Sequence, residues 1–147
     1  MRGVRAEIVL GLTLLAAACV QGPRSASGFR LPEGDPHRGE AAFASQRCNA
    51  CHVVAGAHLP PPVADPPVPV VLGGETVRVR TDGELVTAIT SPSRSLAVGY
   101  RPEAVRSGRL SRMGDFNESL TVRDLADIVA FLQAHYVVVD APPPPIR

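Results

Sequence analysis

Cys48-Asn49-Ala50-Cys51-His52 is the stretch on which the reading of this chain turns. It places two thiols three positions apart and an imidazole directly after the second. A redox dithiol at this spacing belongs in a βαβ setting, and the flanking sequence has no such pattern. A zinc site needs a second ligand pair at metal-like spacing, and none of the other Cys or His residues supplies one.

The third reading of C-x-x-C-H is the attachment site of a single c-type haem. Thiols at this spacing reach the two vinyl groups on one edge of the porphyrin, so Cys48 and Cys51 become the anchors. The adjoining His52 then falls under the ring, with its imidazole directed at the iron as proximal ligand. Composition is consistent with this: aromatic residues make up 4% of the chain and Trp is absent. A core built from protein alone would be thin, and a ring system supplies apolar bulk.

Outward toward the N-terminus, the chain opens as a targeting segment. Arg2 and Arg5 precede an apolar run from Ile8 to Ala18, too short to span a bilayer and of signal-peptide length. The run ends Ala16-Ala17-Ala18-Cys19. Small residues there suit ordinary signal cleavage. With Cys at the cut they also resemble a lipobox, although Ala16 stands where Leu is commoner. Cysteine arithmetic favours the second: two of the three Cys belong to the haem motif, and an unpaired Cys19 in an oxidising compartment is a liability that lipidation removes. Residues 1–18 are therefore expected to be a signal peptide and Cys19 the lipidated first residue. Residues 19–34, rich in Gly, Ser, Pro and Arg, form a tether with an r.m.s. span of roughly 20 Å if flexible. Residues 35–137 form the domain, and 138–147 a Pro-rich tail.

Within the domain, Asp35-Pro36 is a helix start, with Asp as N-cap and Pro at the first helical position, for a helix to about Arg47. The prolines between Pro60 and Pro69 demand irregular or extended chain. Gly73-Gly74 between β-branched runs predicts a small hairpin over 70–79. Thr81 with Glu84 fits a capping box for a short helix through about Thr90, which Pro92 stops. Residues 92–120 read as mostly loop, with a turn of helix near 102–107. The last helix is capped by Thr121 and carries Val122, Leu125, Ile128, Val129, Leu132 and Tyr136 at helical spacing, with Arg123, Asp124, Asp127 and Gln133 between them.

Taken together, these residues resemble the class I cytochromes c. Gly39 and Phe43 precede the haem motif and Phe131-Leu132 closes the last helix, as in that family, over a match of about Asp35 to Tyr136. The resemblance implies an all-α fold of three to four helices around one covalent haem, here with the small inserted hairpin. It also implies that the first and last helices cross, with Gly39 and Phe43 against Phe131 or Leu132. The family orients its proximal histidine on a Pro carbonyl a few residues downstream, for which Leu59-Pro60-Pro61-Pro62 offers candidates.

The distal ligand is expected to be Met113. Met1 would leave with the signal peptide, so Met113 is the sole thioether, and it lies just before the closing helix, where the family places its distal Met. Ser111-Arg112-Met113-Gly114-Asp115-Phe116 is similar to the family's Met-Pro-x-Phe loop, with Gly114 in place of Pro. His58 is too near His52 to reach the opposite face, and His37 and His135 read as surface residues at helix ends.

His/Met ligation fills the iron's coordination and raises its potential. The expected function is therefore electron transfer by a non-enzymatic carrier on the periplasmic side of a bacterial membrane, with redox proteins as donor and acceptor. Two other readings stand beside it. The chain could be the haem subunit of a multi-subunit periplasmic dehydrogenase or sulfur-compound oxidising enzyme, or a haem sensor of small ligands. A formal charge of +1 points to no nucleic-acid partner. Five Arg and one Glu between Arg94 and Arg112 read as a solvated loop with one or two Arg pairing the haem propionates. The sharper alternative is a surface that steers an acidic partner.

Overall fold

The structure is a computed structural model that describes residues 29–60 and 69–140. The expected signal segment, Cys19, the first part of the tether and the tail beyond Asp140 lie outside the described residues. The compact unit that carries every element below begins at Leu31.

Helix α1 runs Pro36–Ser45, with Pro at its start. The side chain of Asp35 accepts from the Arg38 N–H at 2.9 Å and satisfies one of the free donors of the first turn. Arg47 follows the helix at φ 59°, in the left-handed conformation that commonly closes a helix and is more often given to glycine. A single 3-10 turn over Cys48–Ala50 leads into strand β1, His52–Val54. Strands β2, Val70–Leu72, and β3, Gly74–Thr76, follow the proline-rich segment. Helix α2, Asp82–Thr90, opens on the Thr81/Glu84 capping box. After a 3-10 turn at Pro92–Arg94 come the short helix α3, Pro102–Val105, and strands β4, Arg106–Ser107, and β5, Leu110–Ser111. Helix α4, Val122–Ala134, opens on a second capping box, Thr121/Asp124, and passes into strand β6, Tyr136–Val138.

The all-α expectation is overturned. Alongside four α-helices, the described residues contain six short strands in three two-stranded sheets, so the architecture is mixed. The expected hairpin is absent as well: β2 and β3 do not pair with each other. β2 lies parallel to β1 with His52 opposite Val70, and β3 lies parallel to β6 with Gly74 opposite Tyr136. The physical reason is at the junction. Gly73 and Gly74 both take positive φ, 74° and 79°, and the Gly74 N–H donates to the carbonyl of His135 at 2.8 Å. The two glycines therefore send consecutive strands to different partners instead of folding one back on the other. A parallel partner is remote in sequence, so local pattern does not reveal it. Only β4 and β5 form an antiparallel pair.

The core lies between α1 and α4 and extends to β1 and α2. It holds Ala42, Phe43, Val54, Leu85, Ile128, Val129, Phe131 and Leu132. Phe43 and Phe131 are 2% and 1% exposed, with ring centroids 5.6 Å apart and planes inclined at 57°. Burial of each such ring contributes on the order of 1.5–3 kcal/mol, and a tilted pair adds about 1 kcal/mol.

Positions of the last helix differ from their sequence reading: Tyr136 begins β6 instead of extending the helix, and two others change face. Asp127 does not lie on a solvated face; it is 2% exposed. Its carboxylate accepts the Asp35 N–H at 2.7 Å and both Nε and Nη2 of Arg38, at 2.8 and 3.1 Å. Arg38 also pairs with Asp35 at 3.2 Å. The buried carboxylate thus ties the N-terminus of α1 to the middle of α4 with both oxygens hydrogen-bonded and a guanidinium as counter-charge, which is the condition for tolerating a charge there. Val122, by contrast, is exposed, although its spacing placed it with the apolar residues.

Candidate functional site

The strands that the sequence did not reveal are what position His52. It is the first residue of β1, and its pairing with Val70 brings the Val70 carbonyl 3.3 Å from its Nδ1. The partner is therefore not a proline carbonyl: Pro60 O instead accepts from the side chain of the buried Asn49 at 3.1 Å, while Pro61 and Pro62 lie outside the described residues. With Nδ1 engaged as a donor, Nε2 is the ring nitrogen left for a ligand. Burial lowers the pKa of the imidazole below its ordinary value, opposed in part by the Val70 carbonyl. At neutral pH the ring is uncharged, the form in which histidine binds a metal.

His52, Cys48 and Met113 line one cleft of about 70 Å³. Phe43 and Leu132 from the α1–α4 pair close its floor, and Leu85, Ala88 and Ile89 of α2 form a wall. The surface they present is apolar, as the lining of cofactor sites predominantly is. A second cleft of about 270 Å³ adjoins it, lined by Cys51, Val70, Ser111 and Arg112 among others. Ala88 and Met113 border both, so the two thiols of the motif open on either side of a shared boundary.

The loop that carries Met113 is fixed at several points. Arg112 N–H donates to Val105 O and its Nε to Glu103 O, at 2.9 and 2.8 Å. Ser111 N–H donates to Ser93 Oγ at 3.0 Å, and Met113 N–H to Ser111 Oγ at 3.1 Å. Downstream, the Asn117 side chain donates to Thr90 O at 3.0 Å, tying the loop to the end of α2. A Cβ at Gly114 would meet only the Phe116 ring, at an ordinary 3.9 Å, and its φ is not left-handed, so its lack of a side chain relieves no clash.

The thiols are free, Cys48 half-buried and Cys51 exposed. Burial pushes the Cys48 thiol up to about 11. A catalytic dithiol works through a thiolate of lowered pKa, so this environment opposes the redox-dithiol reading. Among the described residues no cluster of three or more Cys, His, Asp or Glu is arranged to hold a metal ion. One imidazole, one thioether and the Cys48 thiol line the apolar cleft, with the Cys51 thiol on the adjoining one, a donor set of the kind that holds a covalently attached haem.

His37 and His58 are exposed, away from this cleft. His135 is half-buried rather than a surface residue; its ring packs edge-on against Phe131 at 4.7 Å and its Nδ1 lies 2.8 Å from Phe131 O. Sequence reading missed the α2 wall, although Leu85 and Ile89 four residues apart were a legible signal. It also missed the Val70 carbonyl, for which there was none. No protein family, curated protein or solved structure matches the chain.

Proposed function

We propose that this chain is a one-electron carrier holding a single covalent c-type haem, with His52 and Met113 as axial ligands and Cys48 and Cys51 as anchors. The observation that supports it most directly is that Met113, remote in sequence from the Cys48–His52 motif, lines the same apolar cleft as Cys48 and His52. The proposed likeness to class I cytochromes c rests on the motif and the order of ligands, not on an all-α architecture.

Haem iron bound there supplies the Fe(III)/Fe(II) couple. Cys48 and Cys51 would hold the haem by thioether bonds, each S–H adding across one vinyl double bond with no oxidant consumed. His52 presents Nε2 while the Val70 carbonyl holds its other nitrogen, which fixes the tautomer and ring orientation. Met113 contributes a soft, neutral donor that favours the reduced state and raises the potential. The cleft lining is apolar, and with His52 and Met113 both on the iron no coordination position would be left for a substrate, which suits electron transfer rather than catalysis. Acylation of Cys19 after export would confine the carrier to the periplasmic side of a membrane, within a tether's reach of its redox partners.

The test is a visible spectrum of protein matured with a cytochrome c assembly system, oxidised and reduced, with and without carbon monoxide. Sharp haem-c bands, a weak far-red thioether-to-iron band in the oxidised form and no carbon monoxide response are expected. A high-spin spectrum would remove Met113 as ligand, and absence of covalent haem would sink the proposal. Peptide mass analysis of the mature N-terminus tests Cys19.

A further inference from the structure

A single peptide unit separates His52 from a tyrosine. The Val70 carbonyl lies 3.3 Å from His52 Nδ1, and the N–H of that same peptide, carried by Val71, donates to the Tyr100 hydroxyl oxygen at 2.9 Å. Strand geometry explains the arrangement. Alternate residues of a strand bond to opposite sides. The Val70 N–H and Leu72 carbonyl face β1, bonding Cys51 O and the Ala55 N–H at 2.9 and 2.8 Å. The Val71 N–H therefore points to the side of β2 that β1 does not occupy. Tyr100, half-buried between the Pro92–Arg94 turn and α3, reaches it there.

We propose that Tyr100 is a positioning residue for the axial histidine, acting through the Val70–Val71 peptide. This deepens the proposed function and rests on it. A peptide whose N–H is hydrogen-bonded becomes a better acceptor at its carbonyl, by about 10–30% per bond in a chain of hydrogen bonds. A stronger acceptor at Val70 O draws the Nδ1–H proton further from His52 and makes Nε2 a stronger donor. A stronger donor favours Fe(III), so Tyr100 holds the potential below the value that His52 and Met113 would otherwise set. The hydroxyl also anchors the free side of β2, limiting rotation of the peptide on which the imidazole is oriented.

The experiment compares wild-type, Y100F and Y136F holoproteins by optical potentiometric titration, with amide exchange at Val71 as a second readout. In Y100F the Fe(II)/Fe(III) ratio at fixed ambient potential should rise about two- to fivefold, which at 59 mV per tenfold is an upward shift of about 20–40 mV. Exchange at Val71 should quicken, the far-red thioether band should persist, and Y136F should match wild type in all three. Haem attachment with an unchanged potential in Y100F would overturn this inference alone. Loss of the far-red band in Y100F would overturn it too, because the change would then run through Met113. A wild-type chain without covalent haem would overturn the proposed function and this inference with it.

Discussion

Gly39 of α1 lies so close to Asp127 of α4 that a Cβ at Gly39 would collide with the Asp127 carbonyl oxygen and crowd the Phe131 Cβ. The obstacle is backbone, which cannot swing aside. Gly39→Ala should therefore destabilise the fold by about 1–3 kcal/mol despite alanine's better helix propensity. The midpoint of urea unfolding measures this. Gly83→Ala, in α2 with open space around it, should not lower stability.

Asp127 gives the fold a defined acid limit. Its carboxyl is held below the usual value by the Arg38 guanidinium and the Asp35 N–H, against the cost of burial. A depressed folded value means that the contribution is complete above the unfolded value of about 3.9. It fades as pH falls from there through the lower folded value. The thermal midpoint of the wild type should drop across that window. Asp127→Asn should begin lower and lose less on acidification.

Cys48 should be a slow thiol before haem attachment. With its pKa pushed up to about 11, the thiolate that reacts is scarce at neutral pH. Alkylation of the unloaded chain at pH 7.5 should label exposed Cys51 well ahead of Cys48. The Cys48 rate should climb about tenfold per pH unit toward pH 11, since the thiolate fraction follows pH below the pKa. Peptide mass analysis reads both. Equal rates at pH 7.5 would contradict the burial that the structure gives Cys48.

Met113 should be dispensable for folding and decisive for the iron. It is half-buried, where truncation costs less than in a closed core. Met113→Ala should retain covalent haem while losing the far-red band completely, gaining carbon monoxide binding and lowering the reduction potential. Stopped-flow mixing with carbon monoxide and a redox titration check these outcomes. A Met113→Ala protein with an unchanged oxidised spectrum would reassign the distal ligand.

Much of the helical framework was legible because its signals are local. Asp35-Pro36, Thr81 with Glu84 and Thr121 mark the helix starts through side chains that satisfy nearby N–H groups, and all three caps form. The contact of Gly39 and Phe43 with Phe131 was expected through the resemblance to class I cytochromes c, and the structure brings these residues together. C-x-x-C-H carries the proposed haem attachment through its spacing alone, which matches thiols to two vinyl groups.

What tertiary structure alone decided is how the rest pairs. Strands of two or three residues carry too little pattern to name a partner, so the parallel pairs β1–β2 and β3–β6 were invisible and the Gly73-Gly74 junction read as a hairpin. The burial of Asp127 was hidden for the same reason: helical spacing marks a position, while Arg38 and the Asp35 N–H, which make the buried charge tolerable, come from another helix. The Val70 carbonyl at His52 and the Tyr100 hydroxyl beyond it belong with these. A backbone carbonyl has no sequence identity, and only the fold determines which one an imidazole meets.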